Sequence, residues 1–303
     1  MVVRFRTGSQ IGVRQASKEE TTMQSSNPVF RKAEGFNGRS ATYPASEMTY
    51  PAYGTQTQTD PYRQEAPVPG GITTVGGPMT IDSVVQKTGI TLGLVVLAAA
   101  ATWVLTPAPS DASIGSLYAL AMVGALGGFA LAMVNSFKRV VSPGLVMAYA
   151  VLEGVFVGAF SKALEGMFGD GLVVGAVLGT MAAVGGTLAA YKFFNIRVSP
   201  TFRKWVVGAM LGFVAVSLLD FALSFFGSSF GFNGFGPLGL LSSVIGLGLG
   251  VLMLILDFDF VERGIEAGLP ERESWRAAFG LTVTIIWIYI ELLRILAILR
   301  GSD

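Results

Sequence analysis

Residues 88–106 read TGITLGLVVLAAAATWVLT, nineteen positions without a charged side chain. A helix needs about 20 predominantly apolar residues to cross the hydrocarbon core of a bilayer. The apolar character also continues beyond this stretch, because Asp111 is the single charged residue between Thr88 and Phe137. The segment therefore predicts a membrane-spanning helix followed closely by a second one.

The rest of the chain repeats this pattern. Of its 303 residues, 51% are hydrophobic and 14% are charged, and the mean hydropathy is +0.59, whereas soluble domains carry about 25% charged residues. Seven stretches have spanning length: 88–106, 114–137, 143–161, 171–191, 205–226, 238–257 and 277–299. One small soluble core could not bury them all. We predict an all-α polytopic membrane protein, a seven-transmembrane-helix bundle over residues 80–303, and exclude a soluble Rossmann or barrel enzyme.

Composition also limits the chemistry. The chain has no Cys and no His, which excludes thiolate and histidine metal sites, a thiol nucleophile and a Ser-His-Asp triad. The net charge of +1 gives no basic surface for nucleic acid. Acids without a nucleophile–base arrangement make an intramembrane hydrolase a poor alternative. We expect no enzyme activity, no cofactor and no nucleic-acid partner.

Residues 1–79 are polar, and Pro recurs between Thr42 and Gly77. Such composition predicts a disordered cytoplasmic tail, and without an apolar core this tail is not a secretory signal. Either Met1 or Met23 could be the true start. Thr80 is expected to cap a short helix, 81–87, that leads into the membrane.

Lys and Arg in the short loops predict orientation. One set of flanks carries ten of them: Lys87, Lys138, Arg139, Lys192, Arg197, Arg203, Lys204, Arg263, Arg272 and Arg276. The other set carries Lys162 and Arg300. We therefore expect a cell-membrane protein with a cytoplasmic amino terminus and an external carboxyl terminus.

Glycines within the spans show small-xxx-small spacing, which lets helices pack closely in lipid. The pairs and triplet are Gly124/Gly128, Gly154/Gly158, Gly171/Gly175/Gly179 and Gly208/Gly212. We expect these glycines to pack within one bundle rather than to form a dimer interface. The Gly-rich stretch 233–250 is a weak helix former and could hold an irregular segment.

Charges at membrane depth are the candidate functional residues, because they are costly there and face a partner or a water-filled cavity. The acids in or at the ends of spans are Glu153, Asp220, Asp257, Asp259 and Glu291, and the base well inside a span is Arg294. Glu291 and Arg294, three residues apart, share a helix face. They either neutralise one another, or Glu291 joins a polar cluster with acids of the sixth span.

Asp257 and Asp259 are two residues apart, so they point to nearly opposite sides of a helix. One is expected to face inward and the other a surface or loop cation such as Arg263. Glu153 lies mid-span without a base nearby in sequence, which requires either protonation or a partner on another helix. Two neighbouring carboxylates in a low dielectric would share a proton, and this sharing would close the site. Ionisation would open the site, or let it hold a hard cation through oxygen ligands.

Three segments carry a resemblance: AYAVLEGVFVG at 148–158, LILDFD at 254–259 and IYIE at 288–291. Together with the seven spans they resemble the Bax inhibitor-1 family (the transmembrane Bax inhibitor motif family, with bacterial YccA-like members), over about residues 80–300. The SSNP at 25–28 and ERESWR at 271–276 are similar to the actinobacterial type.

The resemblance implies a central seventh helix and a pair of acids, one on the sixth and one on the seventh helix, that senses pH for a calcium leak. Asp257 matches the sixth-helix acid, with Asp259 as the alternative, and Glu291 matches the seventh-helix acid. Asp257 and Glu291 would then also be the calcium ligands. Their contact requires a seventh helix that begins near Thr282 or a sixth helix that runs beyond Asp259.

Two functions follow as expectations. The first is a pH-sensitive calcium or cation leak channel gated by intramembrane carboxylates. The alternative is a regulatory protein that binds a membrane protease or stress-response machinery and transports nothing.

Overall fold

The computed structural model describes residues 77–110, 112–194 and 196–301. The predictions for the tail and for the choice of start lie outside these residues. The described chain forms seven helices: α1 (Ile81–Leu105), α2 (Ile114–Phe137), α3 (Pro143–Phe168), α4 (Leu172–Phe193), α5 (Pro200–Ser224), α6 (Pro237–Glu266) and α7 (Glu273–Gly301). All seven are long and apolar enough to cross a membrane. The prediction of an all-α, multi-pass bundle is therefore confirmed.

The start of α1 is set by a capping box. The Thr80 hydroxyl accepts from Ser83 N at 3.1 Å, and the Ser83 hydroxyl accepts from Thr80 N at 3.2 Å. These reciprocal bonds satisfy donors that a helix leaves unpaired at its first turn. Thr80 is thus the predicted cap, but the expected short helix and the first span form one continuous helix.

The chain just before α1 is fastened to the α6–α7 turn. Met79 N donates to Leu269 O at 2.7 Å, and Glu271 N donates to Gly77 O at 2.9 Å. Farther along α1, Lys87 Nζ reaches the Glu271 carboxylate at 2.8 Å. The beginning of the bundle and the turn before α7 therefore form one unit.

Helix α7 is the centre of the bundle. It packs against α1, α3, α4 and α6, whereas α2 packs mainly on α3 and α5 on α6. In its apolar segment 61% of the residues are buried, against at most 39% in any other helix. The central position that the resemblance implied for the last helix is confirmed.

The glycines behave in two ways. A Cβ on Gly124 would lie 2.6 Å from Phe156 N, and one on Gly158 would lie 2.5 Å from Ala99 O, so α2 and α1 pack on α3 backbone to backbone. At Gly208 and Gly212 of α5 such a Cβ would meet nothing within 4 Å. The prediction of packing within the bundle therefore fails for α5, because this helix touches few neighbours.

Several helices exceed the apolar stretches that predicted them. Helix α3 runs to Phe168 rather than 161, and α6 runs to Glu266 rather than 257. Hydropathy falls at charged residues, but the backbone hydrogen bonds of a helix continue wherever those residues find partners or water. The irregular part of the Gly-rich stretch is confined to residues before Pro237, and α6 is continuous from there.

Candidate functional site at the α6–α7 interface

Asp257 lies on the face of α6 that packs against α7. Its Oδ2 accepts a hydrogen bond of 2.6 Å from the Thr284 hydroxyl. Gly280, one turn earlier on α7, leaves room for the carboxyl, because a Cβ there would lie 3.3 Å from Oδ1. No ion pair involves Asp257 within the described ranges. Its one side-chain partner is a neutral hydroxyl.

Asp259 points to the other side of α6, as the two-residue spacing predicts. Its carboxylate is held by Arg203 of α5 at 2.6 Å and by Arg263, one turn later on α6, at 2.9 Å. Arg263 also donates to Val198 O at 2.6 Å. Asp259 therefore joins α6 to α5 and to the segment before α5, and its negative charge is neutralised.

Glu291 and Arg294 form an ion pair inside the bundle. The Arg294 Nη1 donates to Glu291 Oε2 at 3.1 Å, and both side chains are less than 10% exposed. The Glu291 carboxyl occupies a notch at Gly246 of α6, where a Cβ would lie 2.6 Å from Oε1. Ser243, fully buried, faces the same carboxyl. Of the two alternatives for Glu291, the geometry matches the self-neutralising pair.

Asp257 and Glu291 do not contact one another. Their contacts across the interface lie at Thr284 and Gly246, which places the acids at different depths. Thr284 and Glu291 are seven residues apart on α7, about 10 Å along the axis at 1.5 Å per residue. Trp287 fills the space between them and donates from Nε1 to Gly246 O at 2.9 Å. The longer α6 does bring Asp257 against α7, but opposite Thr284 rather than Glu291.

Glu153 is separate from both acids. It projects from α3 toward α2, where a Cβ on Gly128 would lie 2.5 Å from its Oε2. Within the residues that the structure describes, it makes no hydrogen bond and no ion pair. Of the two alternatives given for Glu153, protonation or a partner on another helix, the described residues supply no such partner. Glu153 also shares no cluster with Asp257 or Glu291.

Residues 230–236, here called the cap segment, enter the bundle from the α5–α6 loop. The Asp220 carboxylate of α5 accepts from three backbone N–H groups of the cap segment, at Phe230 (2.8 Å), Gly231 (3.2 Å) and Asn233 (2.8 Å). From the opposite side Arg294 donates to two of its carbonyls, Phe232 O at 3.1 Å and Gly234 O at 3.4 Å.

Two functional candidates escaped the sequence reasoning. Thr284, the partner of Asp257, is an ordinary polar residue in a span, and only the register between α6 and α7 identifies it. Lys162 is buried in α3, where its ammonium donates to the last carbonyls of α1, Trp103 O and Thr106 O, both at 2.6 Å. A cation at a helix C-terminus is a favourable arrangement. The sequence did place the end of the first span at Thr106, where unpaired carbonyls need a donor, and this was the signal that could have identified Lys162.

The described residues contain no group of three or more acidic side chains that could hold a metal ion. Asp257 and Thr284 together offer carboxylate and hydroxyl oxygens, the ligand type of hard cations, but Ca²⁺ takes six to eight such ligands. Glu291 is paired with Arg294, and its role as a calcium ligand, like that of Asp257, stays a prediction.

Comparison with known proteins agrees with this architecture. A family model described as Bax inhibitor 1 like matches residues 19–301. The chain is also similar to an uncharacterized protein of Chlamydia muridarum (strain MoPn / Nigg), with 28% identity over 159 residues, which cover 51% of this chain and 64% of that relative. The matched part is thus less than two thirds of the relative's length. The actinobacterial type stays a prediction. On the match along nearly its whole length, the chain belongs to the Bax inhibitor 1 like family.

Proposed function

We propose that this protein is a pH-sensitive leak channel for calcium or another cation in the cell membrane, with Asp257 as its titrating and ion-contacting group. The observation that carries the proposal is the contrast among the acids of α6 and α7. Among the described residues, Asp259 and Glu291 are each paired with arginine, whereas the partner of Asp257 is the neutral hydroxyl of Thr284. An intramembrane acid without a counter-charge is a functional-site hypothesis by default.

The proposed chemistry needs one carboxyl rather than two. With the proton on, Asp257 is neutral and offers a cation little attraction. With the proton off, its charge lies at the α6–α7 interface, and a passing cation neutralises it. The hydroxyl of Thr284 then serves as a second oxygen ligand. Glu291, Arg294 and Asp259 support the helices in this scheme rather than sense pH, and Glu153 is a separate acid without a role in it.

Cation flux through the purified protein in liposomes tests the proposal, with a calcium dye inside the vesicles and a series of external pH values. We expect flux that changes with pH in the unaltered protein. Asp257→Asn should remove the pH dependence, because the amide does not titrate. Thr284→Val should alter the flux while keeping its pH dependence, because the carboxyl remains.

The matched control is Glu266→Gln, which neutralises an exposed acid at the end of the same helix. It should leave the pH profile unchanged. An unaltered profile in Asp257→Asn would disprove the role of Asp257. If the unaltered protein passes no cation and a membrane protease purifies with it, the alternative of a regulatory interaction protein is the better account.

We also propose that the amino terminus is cytoplasmic and the carboxyl terminus external. The flanks of the spans carry ten Lys and Arg residues at the α6–α7 end of the bundle and two, Lys162 and Arg300, at the α5–α6 end, and positive charge favours the cytoplasmic side. A reporter that is active only in the cytoplasm, fused after Asp303, should be inactive. Strong activity of that fusion would contradict the orientation.

A further inference from the structure

The cap segment lies across one end of the α5, α6 and α7 contact. Phe232 packs on Phe213 of α5 with ring centroids 5.0 Å apart, and Phe235 packs on Phe168 at the end of α3 at 5.3 Å. Residues 231–235 are half-buried, while 225–230 are exposed. The segment therefore spans the bundle from α5 to α3 and separates what lies beneath it from the surface.

Polar groups lie beneath this cover. Ser243 and Glu291 are buried, and Ser243 lies six residues into α6, about 9 Å below its start. Buried polar groups are costly in a membrane interior and usually mark a route for water or ions. The Glu291–Arg294 pair thus lies directly below a piece of chain that is not itself a helix.

The cap segment is held in place largely by its backbone. Asp220 binds three of its N–H groups, and Arg294 binds two of its carbonyls. Gly231, with φ of 84°, makes the turn that directs the three N–H groups toward Asp220. The two charged side chains lie on different helices and hold five backbone groups of one short segment.

Neutral hydrogen bonds add to these attachments. Ser217 of α5 is hydrogen-bonded to Asn233, and Ser242 of α6 donates to Phe232 O. Loss of either charged side chain therefore weakens the attachment of the cap segment without abolishing it.

We propose that the cap segment is a gate that closes the α5–α6 end of the bundle, with Asp220 and Arg294 as its latches. This inference rests on the proposed leak function for its purpose, but the closed arrangement can be tested without measuring flux. When the latches hold, the buried polar side chains of Ser243 and Glu291 are sealed from water. When the segment swings outward, these side chains meet the aqueous phase.

The absence of native Cys makes an introduced thiol unique. Ser243→Cys places one beneath the cap segment, and labelling of purified protein by a cationic methanethiosulfonate reagent, followed by mass spectrometry, reports access to it. We expect slow labelling. Adding Asp220→Asn should raise the rate about tenfold to a hundredfold, the change in open population from losing hydrogen bonds to a charged group.

Asp220→Asn keeps the shape of the side chain and changes its hydrogen bonding. Both carboxylate oxygens of Asp220 accept from backbone N–H groups, so the NH₂ of an asparagine faces a donor in either orientation. Arg294→Lys is the second latch variant. Arg294 bonds Glu291 from Nη1 and the cap segment from Nη2, whereas a lysine has one ammonium to serve both, so this variant should raise labelling in the same direction.

Two controls separate gate opening from loss of fold. Glu165→Gln alters another carboxylate that accepts backbone N–H groups, from Gly171 and Val173, and does not touch the cap segment. It should leave the thiol at position 243 protected. Ser274→Cys places the thiol at a fully buried serine at the opposite end of the bundle, and that thiol should stay protected in every latch variant.

Three results would overturn the proposal. The first is rapid labelling of the thiol at position 243 with both latches intact, and the second is no increase in either latch variant. The third is an equal increase at positions 243 and 274, which would mean that the cap segment does not move separately. If labelling rises as expected but the protein passes no cation, the gate stands and the proposed leak function falls.

Discussion

Replacement of the paired glycines of α3 by alanine should weaken the bundle. In Gly154→Ala the new Cβ would lie 2.5 Å from Val95 O and 2.6 Å from the Ala98 Cβ. In Gly158→Ala it would lie 2.5 Å from Ala99 O. The neighbouring atoms are backbone or the first carbon of a side chain, so no flexible group can turn away and α1 must move instead.

The magnitude follows from these distances. An ordinary contact begins near 3.4 Å, so α1 and α3 would have to part by roughly 0.9 Å along their shared face. Overpacking of this kind costs about 1–3 kcal/mol per site, while each alanine recovers up to about 1 kcal/mol of helix propensity. The double variant should therefore lower the free energy of unfolding by up to about 4 kcal/mol, because an overpacking cost of about 2–6 kcal/mol at two sites is offset by about 2 kcal/mol of helix propensity.

The matched control is Gly208→Ala with Gly212→Ala, which has the same four-residue spacing on α5, where nothing lies within 4 Å. Unfolding in a titration from mild detergent to dodecyl sulfate, followed by circular dichroism, measures both double variants. The α5 variant should be unchanged or slightly more stable. If both double variants lost the same unfolding free energy, the effect of the alanines would come from within each helix and not from the α1–α3 contact.

Three further outcomes are expected. Lys162→Met removes the buried ammonium that bonds the last carbonyls of α1 and should cost about 1.5–3 kcal/mol, measured by the same titration; an unchanged midpoint would refute the capping role. Arg294→Gln leaves Glu291 buried without its counter-charge and should cost about 3–5 kcal/mol, whereas the double variant with Glu291→Gln should cost less; a double variant at least as unstable as the single one would contradict the ion pair. Removal of residues 1–76 should leave the melting temperature in detergent unchanged, because this stretch is polar and has few apolar residues to bury, and a large drop would argue against it.

The spans were predictable because membrane insertion depends on runs of apolar residues, and that property is local. Helix α2 has the predicted bounds, 114–137, since polar residues flank it on both sides. The bounds of α6 were wrong because Asp257 and Asp259 lower hydropathy without ending the helix. Asp259 has a local partner one turn away, Arg263, which spacing could offer, whereas its second arginine, Arg203, and the Thr284 partner of Asp257 come from other helices and depend on tertiary contact.

The candidate site was predictable in part. Burial cost identified Asp257, Glu291 and Arg294 as residues that need partners, and spacing offered the Glu291–Arg294 pair as one of two alternatives. The partner of Asp257 depends on the register of α6 against α7, which is fixed by the length of α6 and by the turn at 267–272. The role of Asp220 depends on a glycine-rich loop whose path has no periodic signal.

The clamp between the start of α1 and the α6–α7 turn has a mechanical consequence. Gly77 and Met79 are bonded to Glu271 and Leu269, and Glu271 is also bonded to Lys87. A load applied to the polypeptide ahead of Gly77 therefore reaches the turn between the two helices that carry Asp257 and Thr284 before it reaches the membrane-embedded part of α1. Tension on the polypeptide ahead of Gly77 would therefore act first on the helix pair that forms the Asp257–Thr284 hydrogen bond.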